Sequence, residues 1–110
     1  MTEQEFLDAC ERLLAAIEDD LDRSGVDVQT ERSDNILQIE FEDDSVIVVN
    51  GNAPLREIWV AAKSGGFHFR RTDGRWLDTR DGSELFERLS GLLTLQSGTT
   101  VALVAPRATD

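Results

Sequence analysis

Glu57-Ile58-Trp59-Val60-Ala61-Ala62-Lys63-Ser64-Gly65-Gly66-Phe67-His68-Phe69-Arg70 is the stretch whose reading decides the fold. It spells a strand over Glu57–Ala62, a turn at Ser64-Gly65-Gly66 and a second strand over Phe67–Arg70. So short a connection returns the chain antiparallel, because a parallel crossover needs about a dozen residues or more. Period-2 alternation sends Ile58, Val60, Phe67 and Phe69 to one face of this hairpin and Trp59 and His68 to the other.

The same punctuation repeats on both sides. Downstream, Asp73-Gly74 turns into a short strand over Arg75–Leu77. Upstream, Gly51-Asn52-Ala53-Pro54 interrupts a β-branched run, Ser45–Asn50, and Asp43-Asp44 turns that run back onto Leu37–Phe41. A first strand over Val26–Glu31 alternates apolar and charged residues. These segments make an antiparallel meander of about six strands.

Two helices flank the meander. Thr2 with Glu5 forms a capping box, with Met1 and Phe6 spaced for a hydrophobic staple. Phe6, Cys10, Leu13, Leu14, Ile17 and Leu21 then recur at the spacing of one buried stripe, and Gly25 marks the stop. Asp81 and Glu84 make a second capping pair ahead of Leu85, Phe86, Leu89, Leu92 and Leu93, with Gly98 as the stop. Each helix has one apolar stripe to bury, so both pack on the same sheet face. The expectation is α+β: a two-layer α-β sandwich whose other sheet face is open, in one domain over residues 1–110. Val101, Leu103 and Val104 are apolar enough to pack back on the domain, and 107–110 is expected to fray.

A chain of 110 residues with 40% hydrophobic content supports one modest core. No apolar run approaches the length of a membrane span, and the acidic start Met1-Thr2-Glu3-Gln4-Glu5 lacks the apolar core of a signal peptide. The cytoplasm is the expected compartment. The single cysteine excludes an internal disulfide and a multi-cysteine zinc site, and its place in the helix stripe marks Cys10 as an inert core thiol. The net charge of −11 is lopsided: fifteen acids face three bases through Asp44, against seven acids and eight bases beyond it. Such a field repels phosphate backbones and attracts cations or basic proteins, so nucleic acid is not an expected partner.

Catalytic constellations are nearly absent. One histidine and one core cysteine make no nucleophile–base arrangement, and neither a phosphate-binding glycine loop nor an EF-hand pattern occurs. A non-enzymatic role is expected, with an acidic hydrolase far behind. The sharpest feature is a row of carboxylates on the first helix: Asp8, Glu11, Glu18 and Asp22 at helical spacing, flanked by Asp19 and extended by Asp20. The first strand adds Asp27 and Glu31. A merely solvated face is the common explanation of such a row. However, like charges one turn apart destabilise a helix by roughly 0.2–0.5 kcal/mol per pair. Acids at a helix C-terminus oppose its dipole, at about 0.3–1 kcal/mol each. Carboxylates without imidazole or thiolate suit hard cations, among which residue chemistry alone does not select iron. Trp59, if Ile58 and Val60 face the helices, stands on the open face as an interface anchor. The reverse parity would bury it, and a lone His68 beside it is most simply an ordinary surface residue.

The run Asn52-Ala53-Pro54-Leu55-Arg56-Glu57-Ile58-Trp59-Val60-Ala61, followed by Lys63-Ser64-Gly65-Gly66-Phe67-His68-Phe69, resembles the central signature of bacterial frataxins, the CyaY branch of that family. Glu5-Phe6, Ile17-Glu18 and the acids around Asp19 and Asp22 match its first helix, and the similarity spans about Thr2 to Thr100. The resemblance implies an α-β sandwich, iron held weakly at Glu18, Asp19, Asp22, Asp27 and Glu31 (with Asp8 and Glu11 secondary), and a role in iron–sulfur cluster assembly. The implied partners are the cysteine desulfurase and the cluster scaffold, met by Trp59 with Asn52, Pro54 and His68. The implied action is iron donation, regulation of the desulfurase, or both, by a monomer with possible metal-induced oligomers. The loop Arg23-Ser24-Gly25 departs from relatives that extend the acidic run there. A pure interaction module, docking a basic partner with metal binding incidental, would use the same carboxylates.

Overall fold

In the computed structural model, residues 1–106 are described; the expected frayed segment 107–110 lies outside them. Helix α1 spans Glu3–Ser24 and opens on the expected capping box, Glu5 N–H donating to Thr2 Oγ1 at 3.1 Å and Thr2 N–H to Glu5 Oε1 at 2.7 Å. Of the pair spaced for a staple, Phe6 is fully buried and Met1 is 54% exposed. Gly25 ends α1 in the left-handed conformation at φ 73°, which glycine adopts without a side-chain penalty.

Strands β1 (Val28–Ser33), β2 (Ile36–Phe41), β3 (Val46–Asn52), β4 (Glu57–Ala62), β5 (Gly65–Thr72) and β6 (Arg75–Asp78) pair in chain order as one antiparallel sheet, so β1 and β6 are its edges. Strand β1 begins two residues later than the alternation predicts. Val28 N–H donates to Val26 O at 3.1 Å, a local bond that holds Val26 out of the ladder. Helix α2 spans Leu85–Ser97 and starts later than expected as well. Its cap is Glu84, whose carboxylate accepts from Phe86 and Glu87 N–H; Asp81 belongs to the preceding turn, where it accepts from Ser83 N–H and Arg88.

Both helices cover the face that carries Leu37, Ile39, Phe41, Ile47, Val49, Ile58, Val60, Phe67, Phe69 and Trp76, all buried. At Gly51 the sheet backbone comes so near α1 that a Cβ would lie 2.6 Å from Cys10 Sγ. Burial pushes the Cys10 thiol up to about 11, which agrees with an inert core residue. Beyond α2 the chain folds back as expected, with Val101 and Leu103 buried, though Val104 stays 74% exposed. Val101 N–H donates to Thr94 Oγ1 at 2.9 Å, Leu103 N–H to Ser90 Oγ at 2.8 Å, and Val104 N–H to Asp20 Oδ2 at 3.0 Å. No helix among the described residues is long and apolar enough to cross a membrane.

Candidate functional site

Helical spacing and edge position bring α1 and β1 together through one side chain that the sequence reading counted only as a base. Arg32 lies on the helix side of β1 and donates to Glu18 Oε1 at 2.7 Å and to Glu11 Oε2 at 2.6 Å. Its guanidinium is held above its usual range, first by the bond to Glu11, and its buried Nε has no partner. Two carboxylates of the expected metal row are therefore engaged internally. Asp20 leaves the row altogether: it is 7% exposed, pairs with Arg23 and accepts the Val104 N–H. The expectation that Asp20 extends the exposed charge is corrected. It lies three residues after Ile17 and next to Leu21, at the margin of the buried stripe.

Asp8, Asp19 and Asp22 on α1, and Asp27 and Glu31 at β1, are exposed. Because side chains alternate along a strand, Glu31 faces the open side of the sheet while Arg32 faces α1. Asp27 lies against Glu42 across a shallow depression of about 430 Å³, where the Asp27 hydrogen bond and charge raise the Glu42 carboxyl. Asp43, also in that depression, is committed to Ser45 and to Lys63 Nζ at 3.1 Å. Among the described residues no three His, Cys, Asp or Glu side chains gather where they could enclose a metal ion. The donors come in ones and twos. Such a set fits a hard, hydrated cation that keeps most of its water, and it does not fit a dehydrated cage.

The second constellation lies on the open sheet face, where the expected parity holds. Trp59 on β4 pairs in register with His68 on β5, and their rings stack at 4.4 Å between centroids with 7° between planes. Stacking leaves Trp59 half-buried even on the open face. Its indole N–H donates to Glu57 Oε1 at 2.9 Å, and Arg70, opposite Glu57 in the register, donates to Oε2 at 2.6 Å. Burial by itself would raise the Glu57 carboxyl, but the indole N–H and the Arg70 guanidinium outweigh it and hold the group below the usual carboxylate range. Asn52 is half-buried and its Oδ1 accepts the Leu55 N–H at 3.0 Å, shaping the β3–β4 turn on which Pro54 and Leu55 stand exposed. Sequence reading singled out neither Glu57 nor Arg70. The signal was available: Glu57 lies two residues before Trp59, hence on its face, and the hairpin register sets Arg70 opposite.

A frataxin-like domain matches residues 1–99. The iron–sulfur cluster assembly protein CyaY of Paraburkholderia xenovorans (strain LB400) is 52% identical over 101 residues, covering 92% of this chain and 96% of that protein. The iron–sulfur cluster assembly protein CyaY of Janthinobacterium sp. (strain Marseille) is 52% identical over 108 residues, covering 94% and 96%. The solved structure of frataxin from Psychromonas ingrahamii superposes with a TM-score of 0.90 at 31% identity, over 96% of this chain and all of that one.

Proposed function

The chain belongs to the frataxin-like family, and from that premise we propose that it serves iron–sulfur cluster assembly as a non-catalytic iron-binding protein and regulator of the cysteine desulfurase. The observation that carries the reading is the coexistence of two unlike surfaces on one small fold. One is a set of exposed carboxylates, Asp19, Asp22, Asp27 and Glu31, and the other a fixed Trp59–His68 patch on the open sheet. The name shared by relatives about 50% identical over nearly the whole chain supports it.

In this reading Asp19, Asp22, Asp27 and Glu31 take hydrated ferrous or ferric iron, with Glu18, Glu11 and Asp8 adding field. Water completes the metal's shell. Trp59, His68 and the Asn52–Pro54 turn meet the desulfurase or the scaffold in the cytoplasm, as a monomer that metal can assemble further. The protein then acts by occupying its partner and by delivering or withholding iron. The test is an NMR titration, first with ferrous iron or cobalt and then with purified desulfurase. Metal should perturb Asp19, Asp22, Asp27 and Glu31 first, and the desulfurase should perturb Trp59 and His68. First metal shifts centred on Asp73, Asp78 and Asp81 would overturn the metal assignment.

One observation favours a second reading, an acidic module that regulates a basic partner with metal incidental. Because no three donors gather among the described residues, single-ion affinity is modest. A variant blind to metal that still slows the desulfurase would decide for that module.

A further inference from the structure

Glu57 is out of place on a surface. It stands on the open face of the sheet yet is only 5% exposed, roofed by Trp59, His68 and Arg70. A carboxylate taken out of water is costly unless its oxygens are satisfied, and here both are. Oε1 accepts the indole N–H at 2.9 Å and faces His68 Nδ1 at 3.7 Å, while Oε2 accepts from Arg70 at 2.6 Å. Nothing in the helix-side core needs this group. What it does touch is the residue read above as the docking anchor.

A tryptophan on a flat sheet has two soft side-chain torsions, so it is an anchor only if something sets them. Two restraints do so from rigid backbone positions. Glu57, two residues back on the same strand, fixes the indole edge, and His68, across the ladder, fixes the indole plane. Arg70 offsets the charge that the carboxylate carries. A side chain already ordered in the free protein loses less freedom on association.

We infer that Glu57 is a positioning residue for docking: through the indole N–H it presets Trp59 in its bound orientation, with Arg70 as its counter-ion. The inference rests on the reading of the open face as the docking surface. It also identifies the atom that matters at position 57, an acceptor oxygen whose negative charge is dispensable.

The experiment compares Glu57→Gln, Glu57→Leu and Trp59→Arg for binding to purified cysteine desulfurase and to purified cluster scaffold. The indole N–H resonance of Trp59 is followed in the free proteins that retain it. Glu57→Gln keeps the acceptor, so the indole resonance and affinity for the partner should stay within about threefold of the parent. Glu57→Leu removes it, so the indole N–H should shift and exchange faster with solvent. Affinity should then fall by roughly tenfold or more. Full-strength binding by folded Glu57→Leu, alongside weakened Trp59→Arg, overturns the positioning role and leaves the docking surface standing. Full-strength binding by Trp59→Arg to both partners overturns the docking surface itself. Should Glu57→Leu fail to fold, the parent protein still decides. A slowly exchanging Trp59 indole N–H with a rigid side chain supports the inference, and a mobile, rapidly exchanging one refutes it.

Discussion

Along the α1–β1 edge, Asp19, Asp22 and Glu31 point into solvent, while Arg32 holds Glu11 and Glu18. On the β4–β5 pair, Trp59, His68, Glu57 and Arg70 satisfy one another in a fixed arrangement. In the proposed reading the edge acts through charge, felt at a distance and weakened by salt. In the same reading the patch acts through shape, felt only on contact and less sensitive to ionic strength than the edge. A protein that must attract ions or a basic surface, yet be recognised by a particular partner, can divide the tasks this way.

The comparison breaks most visibly at Trp59. Trp59→Arg is expected to weaken desulfurase or scaffold binding by about 2 kcal/mol or more, the loss of an interface anchor. Metal shifts at Asp19 and Asp22 should be unchanged. The loss of the stack and of the indole hydrogen bond should also lower stability by about 1 kcal/mol, more than a bare surface change. Calorimetry beside thermal melting separates the two effects, and unfolding of the variant would show that the stack and its hydrogen bonds are needed to hold the sheet.

Arg32 offers the reverse manipulation. Arg32→Gln releases Glu11 and Glu18 to the exposed row, so ferrous iron or cobalt should bind several-fold more tightly. The metal-free protein should lose about 1 kcal/mol, since the ion pairs are only partly buried. Titration calorimetry with unchanged affinity would mean that the two carboxylates do not belong to the metal surface.

Much of this division was legible in the residues. The capping box at Thr2, the left-handed stops at Gly25 and Gly98, and the alternation around Trp59 are local signals, and each has its counterpart in the structure. What escaped reading depends on partners distant in the chain or on competition between nearby caps. Asp81 and Glu84 are both fit to cap a helix, but Asp78 accepts from Arg80 and Asp81 N–H and closes a separate turn first. Asp20 looks like one more surface acid until Val104, 84 residues on, donates to it. Arg32 looks like a lone base in an acidic stretch, and only the pairing of β1 as an edge strand brings it under α1.

A finer sharpening concerns the exposed acids of α1. Asp19→Asn or Asp22→Asn should stabilise the metal-free protein by a few tenths of a kcal/mol at low salt, by relieving repulsion and the unfavourable helix-end charge. Added salt should erase the gain, and metal affinity should drop. Stability that falls on either change would reveal a structural partner for that carboxylate.

The smallest effect lies in the acid range. The Ser45 hydroxyl, the Ser45 N–H and Lys63 hold the Asp43 carboxyl at about 2, below its ordinary 3.8. A carboxyl depressed in the folded state stabilises above its unfolded value, so this contribution is present above 3.8 and disappears as the pH falls toward about 2. Glu42, raised by Asp27, runs the other way: its contribution is present at low pH and is lost as the pH rises through its folded value. Asp43→Asn should therefore flatten the fall in melting temperature on the acid side, while Asp27→Asn should flatten the loss on the rising side.

Residues 101–104 run back against α2, and Val104 reaches α1 by donating to Asp20. In synthesis α1 leaves the ribosome before this strip does, so the contacts between them close only once the strip has emerged. Until Val104 arrives, one oxygen of Asp20 lacks its donor and the apolar flank beside it lacks Val101 and Leu103 as cover. Until then the nascent chain is a half-shut box, its lid fastened by the strip 101–104. A ribosome-stalled chain exposed only as far as Ser97 should be cut by protease within α1, whereas one exposed beyond Val104 should resist.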